Sequence, residues 1–394
     1  MSIDYLSIEP FLQDALQART LQAAFDLGII DRLEMREVVV QSQLFRNIAC
    51  DDAGARFLVE VLTKAGVLSV AGQSQNATDV SRSPEIALEA NLSREALAAG
   101  VVPVSTKYTP AASAVRLTES TDRLPEVSLT PAFKAALKYR DLLQTKLQFS
   151  ELVAPDFFAR LPQLLSSYEE FMSTSKLFEL FDYSRCYEVT PENCLRTSRW
   201  MQLTTMLTRY EAPVCCDHFP FSKHRRMLDL GGNSGEFALQ VCRQNSALHA
   251  TVADLPVVCH VGARHVAPFA EAPRIQFQPL NFIEEDFPNG HDLITCKSVL
   301  HDWPDPLVEI LIKKCFDALP AGGRILIFER QLWDISLHSL PYGLLPVLLF
   351  FRSYRRPEFY TSLLTAAGFS EVSVTTMQLE VPFMIISATA SGGR

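Results

Sequence analysis

Between Arg226 and Arg330 the chain alternates short apolar runs, each bounded by glycine, proline or charge, with stretches of helical periodicity. MLDLGG reads as a buried strand running into a glycine turn, and EFALQVCRQN as the helix that follows. HATVADLP and VVCHVGARHV repeat the pair. IQFQPLNF, HDLITCKSVLHDW and GGRILIFER read as three more strands. Strands alternating with helices predict an α/β fold built on a doubly wound parallel sheet. The last stretch, AAGFSEVSVTTMQLEVPFMIISATA, holds two β-rich runs with no helix between them, so an antiparallel hairpin is expected to close the sheet edge.

The first seventy or so residues have a different grammar. Phe11, Ala15, Ala18, Leu21 and Phe25 recur at helical steps, and Asp51-Asp52 caps a helix whose apolar stripe is Phe57, Leu58, Val61 and Leu62. Ala65-Gly66-Val67-Leu68 then ends that helix and starts a strand. Helix, helix, helix, short strand is the order of a winged-helix module. Residues 71–130 are rich in Gln, Asn, Ser, Thr and Pro and read as a long insertion. A helix resumes with Pro131 in its first turn, and the pattern stays helical to His218. The expected division is a helical domain over 1–215 and a sheet domain over 216–394.

Composition narrows the partners. With 36 basic against 45 acidic residues the net charge is −9, which disfavours nucleic acid. Nine cysteines without a C-x-x-C pair suggest neither a zinc site nor a redox pair, and fit a reducing, cytoplasmic setting. The acidic start MSIDYLSIEPF has no basic signal-like region. The most apolar stretch, Leu340 to Phe351, is far shorter than the roughly 20 residues that span a bilayer, so no membrane span is expected.

The turn Asp229-Leu230-Gly231-Gly232-Asn233-Ser234-Gly235 joins the first strand and helix of the sheet, where ligands of such folds bind. Glycine lets a ligand lie on bare backbone. Asp254 ends the next strand and suits both hydroxyls of a ribose. Asp229, so close to the turn, would repel a pyrophosphate but favours a cation. A ribose without phosphate and with positive sulfonium and ammonium groups describes S-adenosylmethionine.

Lys297-Ser298-Val299-Leu300-His301-Asp302-Trp303 follows the fourth strand, again at the ligand end. A phenol of pKa near 10 needs a base to lose its proton at neutral pH, and histidine is the usual one. It works best with one ring nitrogen held by a carboxylate. Glu329 closes the adjacent strand, about 4.8 Å away in a parallel sheet, and could reach His301. The plainer reading makes His301 a core or capping residue and Asp302 an N-cap.

With these motifs in view, AAFDLGIIDRL, the GVL strand, the glycine turn, D-L-P, L-H-D-W and GGRILIFE together resemble the class I S-adenosylmethionine-dependent O-methyltransferases of the caffeate, hydroxyneurosporene and bacterial natural-product type. The resemblance implies a Rossmann-like catalytic domain, a winged-helix dimerisation domain, a homodimer and S-adenosylhomocysteine as product, with no metal. It implies cofactor contacts at Asp229, Gly231, Gly232, Asn233, Gly235, Asp254 and Leu255, and adenine contacts at Asn281 and Phe282. Lys297 and Trp303 match further cofactor residues, His301 the general base and Glu329 its orienter. Many relatives carry a second catalytic Glu in a G-x-E-R-T stretch; here the chain reads Phe350-Phe351-Arg352-Ser353-Tyr354-Arg355-Arg356.

Phe171, Met172, Trp200, Met201, Met206 and Tyr210 lie on the helices before the sheet and are expected to wall a pocket for a flat, hydrophobic, aromatic small molecule. Arg352, Arg355 and Arg356 could meet a carboxylate on it or form a solvated basic turn. The expected reaction is methyl transfer to a hydroxyl. Carbon or nitrogen methylation, a non-methylating use of the cofactor, and a non-catalytic winged-helix regulator stay open.

Overall fold

The computed structural model describes residues 3–48, 50–71, 125–179, 181–333 and 341–391, so most of the expected insertion lies outside the described residues. The chain opens on a 3-10 turn, Asp4–Leu12, where Phe11 sits, and the first α-helix starts only after it. Helices α1 (Ala15–Asp26), α2 (Ile29–Met35), α3 (Gln41–Leu44) and α4 (Asp52–Lys64) follow, with strand β1 (Val39–Val40) between α2 and α3. Asp14 and Asp51 cap α1 and α4, accepting from the amides of Gln17 and Gly54.

Strand β2 (Leu68–Val70) is the expected one; β3 (Glu126–Leu129) is not, for it emerges from the end of the insertion. The small antiparallel sheet has the order β1-β3-β2. Then come α5 (Pro131–Ala136), α6 (Arg140–Ala159), α7 (Leu161–Ser166), α8 (Tyr168–Thr174) and α9 (Pro191–His218), as the helical pattern predicts. Thr130 caps α5 through the Phe133 amide.

The second half alternates β4 (Arg226–Leu230), α10 (Glu236–Gln244), β5 (His249–Asp254), α11 (Pro256–Val266), β6 (Ile275–Pro279), β7 (Leu293–Lys297), α12 (Asp305–Ala318) and β8 (Arg324–Arg330). After α13 (Leu345–Leu348) and α14 (Pro357–Ala367), β9 (Phe369–Gln378) and β10 (Pro382–Ala390) close the sheet. Its order is β6-β5-β4-β7-β8-β10-β9. The first five neighbours run parallel, and β10 is antiparallel to both β8 and β9, so the hairpin stands at the edge as expected. The chain steps from β4 outward to β5 and β6, then crosses back to β7 on the other side of β4, and the crevice at that reversal is where such sheets hold ligands.

Alternation along β4 and β8 divides two cores. Leu228, Leu230, Ile325 and Ile327 pack toward α12 and α14. Met227, Leu326 and Phe328 join the larger core shared with α9, α10 and the N-terminal helices. Of the Leu340–Phe351 run the described part, 341–351, is not one apolar helix but a 3-10 turn (Tyr342–Leu344) followed by the single turn of α13. Pro341 and Pro346 each remove an amide donor and prevent a continuous helix. No helix among the described residues is long and apolar enough to cross a membrane.

Candidate active site

Three residues of the glycine turn take left-handed backbone: Gly231 (φ 61°), Asn233 (φ 57°) and Gly235 (φ 75°). Asn tolerates that region better than most side chains do. A Cβ on Gly231 would stand 2.2 Å from a methyl of Val299, and one on Gly235 2.7 Å from the Phe277 ring. Glycine is therefore required at both positions. The turn is tied to β5 by Asp254, whose carboxylate accepts from the Asn233 amide at 2.9 Å and the Leu255 amide at 2.8 Å. Burial pushes the Asp254 carboxyl up to about 6, against the pull of those two amides.

Asp229 lies beneath the turn and is 1% exposed. One carboxylate oxygen accepts from the Thr295 hydroxyl at 2.7 Å. The other, Oδ2, is buried without a hydrogen-bond partner among the described residues. Burial raises its pKa to about 7, with Thr295 opposing. A buried carboxylate oxygen left open at the ligand end of a sheet is an unfinished interaction.

The base sits on a turn rather than a strand. HDLITCKSVLHDW does not stay extended: β7 stops at Lys297, Ser298 turns left-handed (φ 53°), and Leu300–Asp302 form a 3-10 turn. Glu329, fully buried at the end of β8, organises that turn. Its Oε1 accepts from the Val299 and Leu300 amides, both at 2.8 Å, and its Oε2 from His301 Nδ1 at 2.7 Å. Burial works against the Glu329 carboxylate, but His301 and the two amides hold its pKa below the usual range. Burial likewise opposes the imidazolium, yet Glu329 and Asp302 outweigh it and raise the His301 pKa.

Asp302 is not an N-cap, since α12 begins at Asp305 behind Pro304. Its carboxylate lies 3.3 Å from His301 Nε2, and the Tyr183 phenol is directed at it. The rings of Tyr354 and Phe350 stand 5.4 and 6.1 Å from the imidazole. Arg355 neither reads a ligand carboxylate nor lies in solvent. It bonds Asp305 and the carbonyls of Leu300 and Trp303, on either side of His301. Arg352 donates to the Leu165 carbonyl.

The other residues singled out from sequence divide into groups. Phe282 and Trp303 meet edge to face at 5.9 Å, and Phe282 stands 3.7 Å from where a Gly231 Cβ would be. Asn281 donates to the Tyr187 phenol at 3.1 Å. Lys297 turns to the opposite face of the sheet tips, bonding Glu211 and Thr208. Trp200 packs on Phe181 and Tyr183, while Met201 packs on Val257 and Val258 of α11. Phe171 reaches the base only through Phe178 and Phe350, and Met172 is exposed. Met206 packs against the larger core. Tyr210 bonds Asp141 and lines a separate cleft of about 660 Å³ with Tyr5, Tyr139 and Arg243. Sequence reasoning missed Tyr183, Phe181, Phe350 and Tyr354 around His301. Tyr354 had left a signal, since it lies in the stretch that lacks the second acid.

The O-methyltransferase domain family matches residues 173–370, half of the chain, including the glycine turn, His301 and Glu329. The chain belongs to that family. Among curated relatives, the chain is 34% identical over 152 residues to 3-hydroxy-5-methyl-1-naphthoate 3-O-methyltransferase of Streptomyces sahachiroi, covering 38% of this chain and 44% of that protein. It is 33% identical over 152 residues to demethylspheroidene O-methyltransferase of Rhodobacter capsulatus, covering 38% and 37%. The chain thus spans less than half the length of these relatives. Human N-acetylserotonin methyltransferase, solved in complex with SAM, shares the fold with a TM-score of 0.65 at 19% identity, over 96% of this chain and 94% of that one. The mitomycin 7-O-methyltransferase structure gives a TM-score of 0.64 at 16% identity, over 95% of each.

Proposed function

We propose that this O-methyltransferase chain moves the methyl group of S-adenosylmethionine to a hydroxyl of a hydrophobic aromatic small molecule and releases S-adenosylhomocysteine. The observation that carries the reading is the His301–Glu329 pair, 2.7 Å apart, on a loop whose Val299 closes over Gly231 of the turn. The naphthoate and spheroidene methyltransferases among its relatives support a hydrophobic acceptor.

The residues present fit the cofactor. Asp229 keeps a buried carboxylate oxygen open to a cation, and the turn offers backbone with no side chain in the way. In this reading Asp254 takes the ribose hydroxyls, Phe282 and Trp303 flank the adenine, and Asn281 meets its edge. Gly232, Asn233, Gly235 and Leu255 supply the surrounding backbone. When bound, the cofactor supplies a methyl carbon carried on a sulfonium. Everything else is done by the chain. Glu329 holds the Nδ1 proton of His301, which leaves Nε2 to take the proton from the acceptor hydroxyl. Nε2 also lies 3.3 Å from the Asp302 carboxylate, so the ring must be unprotonated at that nitrogen before the base can act. Phe181, Phe350 and Tyr354, with Trp200 behind them, wall the acceptor side.

Calorimetry with S-adenosylmethionine and its demethylated product should show binding. Incubation with a panel of aromatic alcohols should yield products heavier by one methyl group. Folded protein that gives no heat with either nucleoside would end this reading.

The reading includes a homodimer and a cytoplasmic site of action, for which nine free cysteines are suited. Helices α6 to α9 leave Leu152, Phe158, Leu165, Met172 and Leu195 exposed, more apolar surface than a lone chain needs. Phe158→Asp should shift the protein from dimer to monomer in light scattering. A monomeric wild-type chain at micromolar concentration would remove the dimer from the proposal.

A further inference from the structure

The face of the sheet tips opposite the base carries a second set of buried charges. Glu211 on α9 pairs with Lys297 and with Arg330, each at 2.5 Å. Arg330 also pairs at 2.8 Å with Glu380, which lies in the turn between β9 and β10. Its guanidinium is 4.6 Å from the Phe383 ring centre. Close by, Lys146 of α6 pairs with Glu9 at 2.5 Å. Tyr5 stands among these groups, with its buried phenol oxygen lacking a hydrogen-bond partner among the described residues. Every charged side chain of the cluster is less than a fifth exposed. Three carboxylates face three cations, so the cluster is neutral as built.

Neutrality matters because of what is next to it. Arg330 directly follows Glu329, and strand alternation sends their side chains to opposite faces of β8. One strand end thus carries the orienter of His301 on one side and a buried cation on the other. Buried charges are screened little by salt, so an uncompensated cation here acts on the imidazole through low-dielectric protein. The charged and titratable groups around His301 are Glu329 from β8 with Arg330 behind the strand, Asp302 from its own turn, Tyr354 and Arg355 from the segment after α13, and Tyr183 through Asp302. Of the two cations, Arg355 is held by Asp305 and by the Leu300 and Trp303 carbonyls, whereas Arg330 is balanced by the buried carboxylates of Glu211 and Glu380.

We propose that Glu380 is a remote positioning residue of the site: by neutralising Arg330 it keeps that charge from favouring neutral His301 and so holds the imidazole basic enough to take a proton. The inference rests on reading His301 as the base. Among the described residues Glu380 bonds Arg330, and no hydrogen bond or ion pair joins it to the glycine turn or the His301 loop. Glu329 is fixed by the Val299 and Leu300 amides rather than by Arg330, so the effect is one of charge and not of shape.

The test reads the imidazole itself. Proton NMR of the full chain against pH, with the His301 resonance assigned by its loss in His301→Ala, gives a titration midpoint without cofactor or acceptor. In Glu380→Gln the midpoint should fall by roughly 0.5–1 pH unit, and Glu380→Asp should restore most of it. In methyl transfer the acid limb of kcat/KM should move to lower pH by the same amount, with the cofactor KM unchanged. An unmoved midpoint in a Glu380→Gln protein with wild-type near-UV dichroism overturns the proposal. Should that variant not fold, Arg330→Met/Glu380→Gln removes both charges together. Its midpoint must then stay at or above the wild-type one, and a fall there also overturns the proposal. Because the midpoint is read without transfer, an inactive chain would count against the methyltransferase reading and leave this inference to be decided separately.

Discussion

Replacing His301 by alanine is expected to lower kcat/KM for methyl transfer by about 10²–10⁴, with cofactor binding heat unchanged. Among the described residues no hydrogen bond joins the imidazole to the glycine turn, so its loss should leave the cradle at Asp229 and Asp254 as it is. What disappears is the imidazole on the loop over Gly231, whose Nδ1 is held 2.7 Å from the buried Glu329 carboxylate. The same geometry sets the pH dependence. Glu329 and Asp302 raise the His301 pKa above 6.5, and a base must be unprotonated to work. Wild-type kcat/KM should therefore climb with pH through a midpoint above that value, and the climb should be missing in the alanine variant. Glu329→Gln should lie between the two. It keeps a hydrogen bond to the ring but no longer supports the imidazolium that forms. Transfer to a carbon or an already deprotonated nitrogen needs no such base, so a rate that survives His301→Ala would move the reaction to that class.

The parts of this site that were legible in the sequence are those encoded within one element. The glycine turn announces itself because left-handed backbone at Gly231 and Gly235 demands glycine and because apolar β4 stops abruptly there. His301 and Glu329 could be paired in advance since both fall at the ends of neighbouring parallel strands. What stayed hidden depends on which face a residue presents or on a partner far along the chain. Strand β3 is four residues inside a polar stretch, and only its pairing with β1 and β2 and the burial of Val127 and Leu129 make it a strand. Periodicity alone could not choose among the faces of the 28-residue α9, so Tyr210 was grouped with Trp200 although it points to Asp141.

Charged residues misled for a related reason. Lys297, Arg330, Glu211 and Glu380 sit on four separate elements, and nothing local says that they meet. Arg355 reads in sequence as a ligand reader or a solvated turn residue because its carbonyl partners, Leu300 and Trp303, lie over 50 residues upstream. In each case a buried cation found backbone or carboxylate partners that only the folded chain brings near. The boundary expected at 215 falls inside α9, which runs to His218 and packs on both the sheet helices and α6.

Asp254→Ala should weaken binding of S-adenosylmethionine by about 10²–10⁴-fold. Hydrogen bonds to a charged acceptor are worth about 1.5–3 kcal/mol each, and the carboxylate would accept two from a ribose. The same change frees the Asn233 and Leu255 amides, which loosens the turn as well. Asp254→Asn, keeping shape and one acceptor, should lose less. The pH dependence follows from the ligand-free state, in which burial pushes Asp254 to about 6 and Asp229 to about 7, both from 3.8. A carboxyl raised in this way is held protonated by the fold, so each one costs stability as pH rises from 3.8 toward its folded value. A cationic nucleoside with two hydroxyl donors reverses that preference, because it interacts with the ionised forms. Binding near neutral pH should then release protons, seen as a heat that changes with the ionisation enthalpy of the buffer. Affinity should fall as pH drops below about 6, where both acids are protonated in the free protein. Equal affinity from pH 5 to 8 with no proton release would mean that neither acid faces the bound cation, and the cradle would have to be sought elsewhere on the sheet.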